Sequence, residues 1–242
     1  MSVPYHPTDR RPLAAREWRA SRRAAEWLVR RRVSPNTISL VGMVCAVVAG
    51  ACLATTNLVP GGTRPAWLIG AILILLRGAA NMLDGMVAVA SGRASPVGEL
   101  FNEVPDRISD AAILIGLGYA AGGDVILGYG AALAAVFTAY VRAMVKVAGA
   151  RQDYCGPMAK IHRMAIAVVV AVYCGVTPVS WQPAWGAARA GLCLILAGCI
   201  VTSVRRLGRA ATRLGNPPPC TPPPTTGSSA STTPSTTPSP SG

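Results

Sequence analysis

One stretch of this chain places oxygen-bearing side chains at helical intervals. Asn81 and Asp84 are three residues apart, and Asn102, Asp106 and Asp110 follow one another at steps of four. On a helix, such steps put the members of each group on one face. Carboxylate and amide oxygens are hard ligands, so two such faces separated by a short turn can enclose Mg²⁺ or Mn²⁺. The spacing therefore predicts a site for a divalent cation.

The elements that position these side chains are predicted to be membrane helices. Of the 242 residues 51% are hydrophobic and 14% charged, and the mean hydropathy is +0.40. Such a composition is typical of a protein with several membrane spans. Apolar runs near the roughly 20 residues that a spanning helix needs predict an all-α integral membrane bundle of six transmembrane helices, at about 36–56, 66–90, 98–121, 124–148, 162–179 and 185–205.

The two ends of the chain have different compositions from this membrane domain, which is predicted over 34–213. Residues 1–33 hold nine arginines, and Ala14, Trp18, Ala25 and Val29 form a narrow apolar stripe among them. This pattern favours an amphipathic helix in the membrane interface, and a solvated basic arm is the alternative. Residues 214–242 are rich in Pro, Thr and Ser, which predicts a disordered tail.

The distribution of charge predicts the orientation of the spans. Most basic residues fall in the N-terminal arm, in the second and fourth connections and at the C-terminal end, whereas the opposite side has Arg64, Arg189 and three tryptophans, Trp67, Trp181 and Trp185. By the positive-inside rule, both termini are expected to be cytoplasmic in a multi-pass protein of the cell membrane. The oxygen ligands then lie at the cytoplasmic ends of the second and third spans.

Two other functional classes are disfavoured. The net charge of +13 suggests a nucleic-acid partner, but membrane topology explains the same arginines, so no nucleic-acid partner is predicted. The seven cysteines follow neither the spacing of a zinc site nor that of a disulfide framework.

The stretch with the oxygen ligands resembles the signature of the CDP-alcohol phosphotransferases, D-x2-D-G-x2-A-R-x8-G-x3-D-x3-D. In that register the chain reads Asn81-x2-Asp84-Gly85-x2-Ala88-Val89-x8-Gly98-x3-Asn102-x3-Asp106, and every spacing is kept. The six-span plan and the basic arm extend the resemblance over about 1–213. The resemblance implies a membrane enzyme of phospholipid synthesis that transfers a phosphatidyl group from CDP-diacylglycerol to an alcohol, releases CMP and depends on one or two Mg²⁺ or Mn²⁺ ions.

The resemblance also implies a role for individual residues. The metal ligands would be Asn81, Asp84, Asn102 and Asp106, and Asp106 would be the catalytic base as well. Such a base is needed because an alcohol is a poor nucleophile until its proton is removed. The donor's cytidine diphosphate would lie near a further set of residues, namely Asn36, Gly85, Ala88, Ser95 and Gly98. Ser95 can equally be a turn residue before Pro96.

The chain departs from the signature at three positions. Asparagine replaces aspartate at 81 and 102, the positions whose carboxylates bridge two cations in the family, and Val89 replaces an arginine that contacts the diphosphate. The formal charge of the ligands thus drops from four negatives to two, which predicts weaker metal binding. Glu99, Glu103 and Asp110 are expected to compensate in part for the lost carboxylates. Arg93 is expected to replace the missing arginine.

Basic residues of the later spans are candidates for binding a phosphate. Arg142, Lys160 and Arg163 are predicted to contact substrate, and so is Asp110. Membrane anchoring is the alternative for Lys160 and Arg163. This cluster favours a phosphorylated or anionic acceptor, although glycerol phosphate, inositol phosphate, serine and a lipid alcohol all stay open.

Two other functional hypotheses are consistent with the sequence. A catalytically silent relative would bind a CDP-linked lipid or scaffold a lipid-synthesis complex. A small transporter is the third possibility, but the polar groups cluster at the cytoplasmic ends and no inverted repeat is visible. The retained Asp84, Gly85, Gly98 and Asp106 favour an active enzyme, and the resemblance adds a possible homodimer.

Overall fold

The computed structural model describes residues 18–58, 63–92, 96–148 and 156–215. Over these residues the chain is helical without strands, which confirms the predicted all-α class. The described ranges contain seven α-helices: α1 (Arg19–Arg30), α2 (Pro35–Thr55), α3 (Thr63–Ala90), α4 (Pro96–Tyr119), α5 (Val125–Val147), α6 (Lys160–Val176) and α7 (Ala187–Gly215).

Local sequence explains where several helices begin and end. Ser34 caps α2 by accepting a hydrogen bond from the Thr37 amide at 3.1 Å, with proline at the first helical position. Asp124 caps α5 by accepting from the Leu127 amide at 3.0 Å. Helix α7 continues to Gly215, beyond the apolar run predicted as a span at about 185–205, because the basic run that follows contains good helix formers and no proline.

Among the described residues, four helices are long and apolar enough to cross a membrane: α2, α3 from Arg64, α5 and α7. These make the chain a multi-pass membrane protein. The other two predicted spans differ for identifiable reasons. Helix α4 contains Glu99, Glu103, Asp106 and Asp110, and α6 has only 17 residues.

The six long helices form a closed ring. Helix α2 packs against α3 and α4, α4 against α5, α5 against α7, α7 against α6, and α6 against α3. Helix α1 lies against α3, with Ala25 buried, whereas Trp18 and Trp27 are 65% and 57% exposed. Part of the predicted apolar stripe thus packs on protein, and Ala14 lies outside the described residues. Helix α4 also contacts α6 and α7 across the ring.

Helices α2 and α4 approach each other at two glycines. A methyl group on Gly116 would collide with backbone atoms of Gly50. Small residues at such crossings let membrane helices pack closely. This contact brings α4 and its acidic residues against α2.

We expect Gly116→Ala to destabilise the bundle by about 1–3 kcal/mol, because backbone atoms cannot rotate away from the added methyl group. The midpoint of thermal unfolding in detergent measures the effect. Gly78→Ala is the matched control, since a Cβ at Gly78 meets nothing within 4 Å. Equal midpoints for the two variants would contradict the close approach of α2 and α4.

Candidate functional site

The first half of the site joins three helices through one hydroxyl group. Ser39 of α2 donates to Oδ2 of Asp84 on α3 at 2.8 Å, and its Oγ lies 3.3 Å from Oδ1 of Asn102 on α4. Oδ1 of Asp84 also accepts from the Gly85 amide at 2.5 Å. Asp84 and Ser39 are both buried. The structure therefore brings Asp84 and Asn102 together, with Ser39 between them.

The second half of the site is built around Lys160, the first residue of α6. Its Nζ lies 2.5 Å from Oδ1 of Asp106 and donates to Oδ1 of Asn81 at 3.1 Å. One ammonium group thus bridges the remaining two signature positions, one from α3 and one from α4. Lys160 was predicted to contact substrate, and here it contacts two of the predicted metal ligands.

Arg77 of α3 completes this half of the site. Its Nη2 contacts Oδ1 of Asp106, and its Nε donates to Oγ of Ser109 at 2.9 Å. The residue is only 1% exposed. Since charge inside a membrane helix is costly, such a residue normally marks a functional cavity.

Sequence reasoning missed Arg77 and Ser39. For Arg77 a signal was present, because it interrupts an apolar run and precedes Asn81 by one helical turn, and a charge in such a run is itself unusual. For Ser39 no comparable signal exists, since a serine in a membrane helix is ordinary.

The donor set fits one divalent cation. The Asp84 carboxylate, the Asn102 amide oxygen and the Ser39 hydroxyl are hard oxygen ligands on three helices. At the other two positions, oxygens already contact Lys160 and Arg77. Within the described parts of the chain, no three His, Cys, Asp or Glu side chains are grouped as metal ligands. The oxygens that could hold an ion therefore lie on the Ser39 side.

Two further ion pairs hold the basic residues against α4. Nη2 of Arg163 lies 2.6 Å from Oδ2 of Asp110, and both side chains are buried. Nη2 of Arg142 lies 2.9 Å from Oε1 of Glu103, which also accepts from Arg107 at 3.0 Å. Asp110, Arg142 and Arg163 are thus close to the site. The buried Asp110–Arg163 pair holds α6 against α4. Contact of either residue with substrate stays a prediction.

The remaining predicted residues that the structure describes lie near helix ends. Gly85 and Ala88 lie near the end of α3, Gly98 lies in the first turn of α4, and Asn36 is exposed in the first turn of α2. Their contacts with substrate stay predictions. Ser95, Arg93 and the side chain of Glu99 lie outside the described residues.

Comparison with known proteins supports the resemblance. The family model for CDP-alcohol phosphatidyltransferase matches residues 32–211. A phosphatidylinositol phosphate synthase of Mycobacteroides abscessus is 28% identical, over 65% of this chain and 70% of that protein. One of Streptomyces avermitilis is 28% identical, over 76% of this chain and 74% of that protein.

The fold is also that of a solved enzyme. The structure of Mycobacterium tuberculosis phosphatidylinositol phosphate synthase with CDP-DAG bound matches with a TM-score of 0.65 at 23% identity, over 81% of this chain and 95% of that one. Its complex with manganese and citrate matches with a TM-score of 0.66 at 24% identity, over 79% and 89%. Because the family match covers most of the chain and agrees with the signature spacing, this protein belongs to the CDP-alcohol phosphatidyltransferase family, whose members transfer a phosphatidyl group in phospholipid synthesis.

Proposed function

We propose that this phosphatidyltransferase joins the phosphatidyl group of CDP-diacylglycerol to a phosphorylated alcohol and releases CMP. One observation carries the choice of acceptor. Basic side chains from two other helices converge on one turn of α4, where Lys160 contacts Asp106 and Arg142 contacts Glu103. An anionic acceptor would meet these cations beside the proposed base.

In the proposed reaction, Asp106 takes the proton of the acceptor hydroxyl. The resulting oxygen attacks the phosphorus on the lipid side of the diphosphate, and the bond from that phosphorus to the CMP oxygen breaks. Asp84, Asn102 and Ser39 would hold a divalent ion, which would supply Lewis-acid stabilisation of the diphosphate charge. Lys160 and Arg77 orient the Asp106 carboxylate.

The class of acceptor is supported by the chemistry of the cluster and by its relatives. Arginine and lysine are the usual ligands of phosphate groups, arginine through paired hydrogen bonds. Arg142 is only partly buried in its pair with Glu103, so it can reorient towards a ligand. Both bacterial relatives described above are named phosphatidylinositol phosphate synthases. We therefore propose an inositol phosphate as the first acceptor to test.

We further propose six membrane crossings, with α4 and α6 included and both termini cytoplasmic. The polar side chains of α4 do not oppose this arrangement, because Asp106, Ser109 and Asp110 are buried while Val104 and Ile108 are exposed. Helix α1 would lie in the interface with its arginines near anionic lipid headgroups. The predicted homodimer stays a prediction.

Acceptor pairs that differ only by a phosphate test the proposed function. With CDP-diacylglycerol and Mg²⁺ in detergent, CMP release should be at least about tenfold faster with inositol phosphate or glycerol phosphate than with inositol or glycerol. The reason is that one charge-assisted contact contributes about 1.5–3 kcal/mol. Chelation of the metal by EDTA is the control and should stop the reaction.

Equal rates of CMP release within each pair would contradict the proposal that the acceptor is phosphorylated. If no acceptor releases CMP while the protein still binds the liponucleotide, the chain is the catalytically silent relative.

A further inference from the structure

We infer that Lys160 and Arg77 take the electrostatic place of one divalent cation, so that this site binds one metal ion rather than two. The inference rests on the proposed function, because it concerns how the same site neutralises the diphosphate. Its evidence is the set of contacts in the second half of the site.

Lys160 lies between two oxygens that a bridging cation could bind. Its ammonium group contacts Oδ1 of Asn81 on α3 and Oδ1 of Asp106 on α4. Both atoms belong to signature positions that the resemblance assigns to metal. An ammonium is a compact point charge with several donors, so it can join two oxygens of facing helices as an ion does.

Arg77 adds a second fixed charge to the same carboxylate. Its guanidinium contacts Asp106, and Ser109 holds its Nε. Space for it exists because position 42 is glycine, where a Cβ would lie 3.2 Å from Nη1 of Arg77. Nη1 is buried without a partner in the described part of the chain, so the guanidinium keeps unused capacity to donate a hydrogen bond.

The balance of charge favours a single ion. The carboxylates of Asp84 and Asp106 are offset by Lys160 and Arg77, so these four side chains are neutral together. One divalent cation would then be balanced by the diphosphate of the donor, which has one negative charge on each phosphate. A second divalent cation would leave excess positive charge in a buried site, which is unfavourable. Asparagine at 81 and 102 also favours a single ion, because each asparagine replaces a carboxylate that a second ion would need.

Metal stoichiometry tests this inference independently of catalysis. Full-length, tag-free protein in detergent is titrated with Mn²⁺, and free Mn²⁺ is followed by electron paramagnetic resonance. The wild type should bind one Mn²⁺. Arg77→Met and Lys160→Met should each bind that ion at least about tenfold more tightly, because a nearby positive charge is removed, yet release CMP more slowly. A residue with a merely structural role would not strengthen metal binding when removed.

Two further variants complete the design. Arg77→Lys keeps the charge, so its Mn²⁺ affinity should stay at the wild-type value. The fourfold variant Arg77→Met/Asn81→Asp/Asn102→Asp/Lys160→Met restores four carboxylates and should bind two Mn²⁺. The Lys160 side chain is 22% exposed whereas that of Arg77 is 2% exposed, so Lys160→Met serves as the folded probe if Arg77→Met does not fold.

Two bound Mn²⁺ in the wild type would overturn the inference, as would affinity in Lys160→Met no higher than in the wild type. CMP release measured on the same samples keeps the two proposals apart. If no acceptor yields CMP, the proposed function fails, whereas the number of bound ions decides the present inference.

Discussion

Asp106→Asn should lower the rate of CMP release by about 10²–10⁴-fold, the usual contribution of a positioned general base. Asp106 is the carboxylate on which Arg77 and Lys160 converge, and an amide at that position cannot take the acceptor's proton. Since asparagine keeps an oxygen acceptor for both cations, the variant should fold. Initial rates of CMP release at saturating donor measure the effect, and the unfolding midpoint checks the fold.

Asp124→Asn is the matched control for this substitution. Asp124 caps α5 by accepting from the Leu127 amide, and asparagine caps helices about as well as aspartate, so this variant should keep full activity. A wild-type rate in Asp106→Asn would remove Asp106 from the chemistry. Glu103, one turn away on α4, would then be the next candidate for the base.

Arg163→Met should lower the free energy of unfolding by about 3–5 kcal/mol, because it leaves the buried Asp110 carboxylate without its partner. The two side chains are 3% and 1% exposed and 2.6 Å apart. The double variant Asp110→Leu/Arg163→Met should recover most of this loss, since it removes both charges together. Chemical unfolding in mixed micelles measures the three free energies.

A more exposed ion pair in the same protein is the control for the buried pair. Nε of Arg189 lies 3.9 Å from Oδ2 of Asp124 with both side chains partly exposed, so Arg189→Met should change stability by no more than about 1 kcal/mol. If Arg163→Met were as stable as the wild type but needed far more acceptor for half-maximal rate, Arg163 would instead be a substrate contact, as the sequence predicted.

Much of the architecture could be predicted because its signals are local. The all-α class follows from apolar runs and their length, and most predicted helices occur within a few residues of their expected bounds. Helix α7 extends past the apolar run predicted as a span, because hydropathy measures whether a segment is apolar, whereas helix continuation depends on backbone propensity, and arginines support it. Whether α4 crosses the membrane was harder to predict. Its acidic side chains are costly in a membrane unless another helix covers them, and the sequence alone does not show which helix does.

The sequence by itself determined the family, the four signature positions and the loss of two carboxylates, because spacing and residue type are properties of one chain segment. Only the tertiary structure decided how those positions pair. Asp84 joins Asn102 through Ser39, and Asn81 joins Asp106 through Lys160. Both bridging residues come from helices outside the signature, α2 and α6. Helical periodicity tells which side chains share a face, but which cation lies opposite that face depends on how distant helices pack, and that packing follows from contacts such as the one between Gly50 and Gly116.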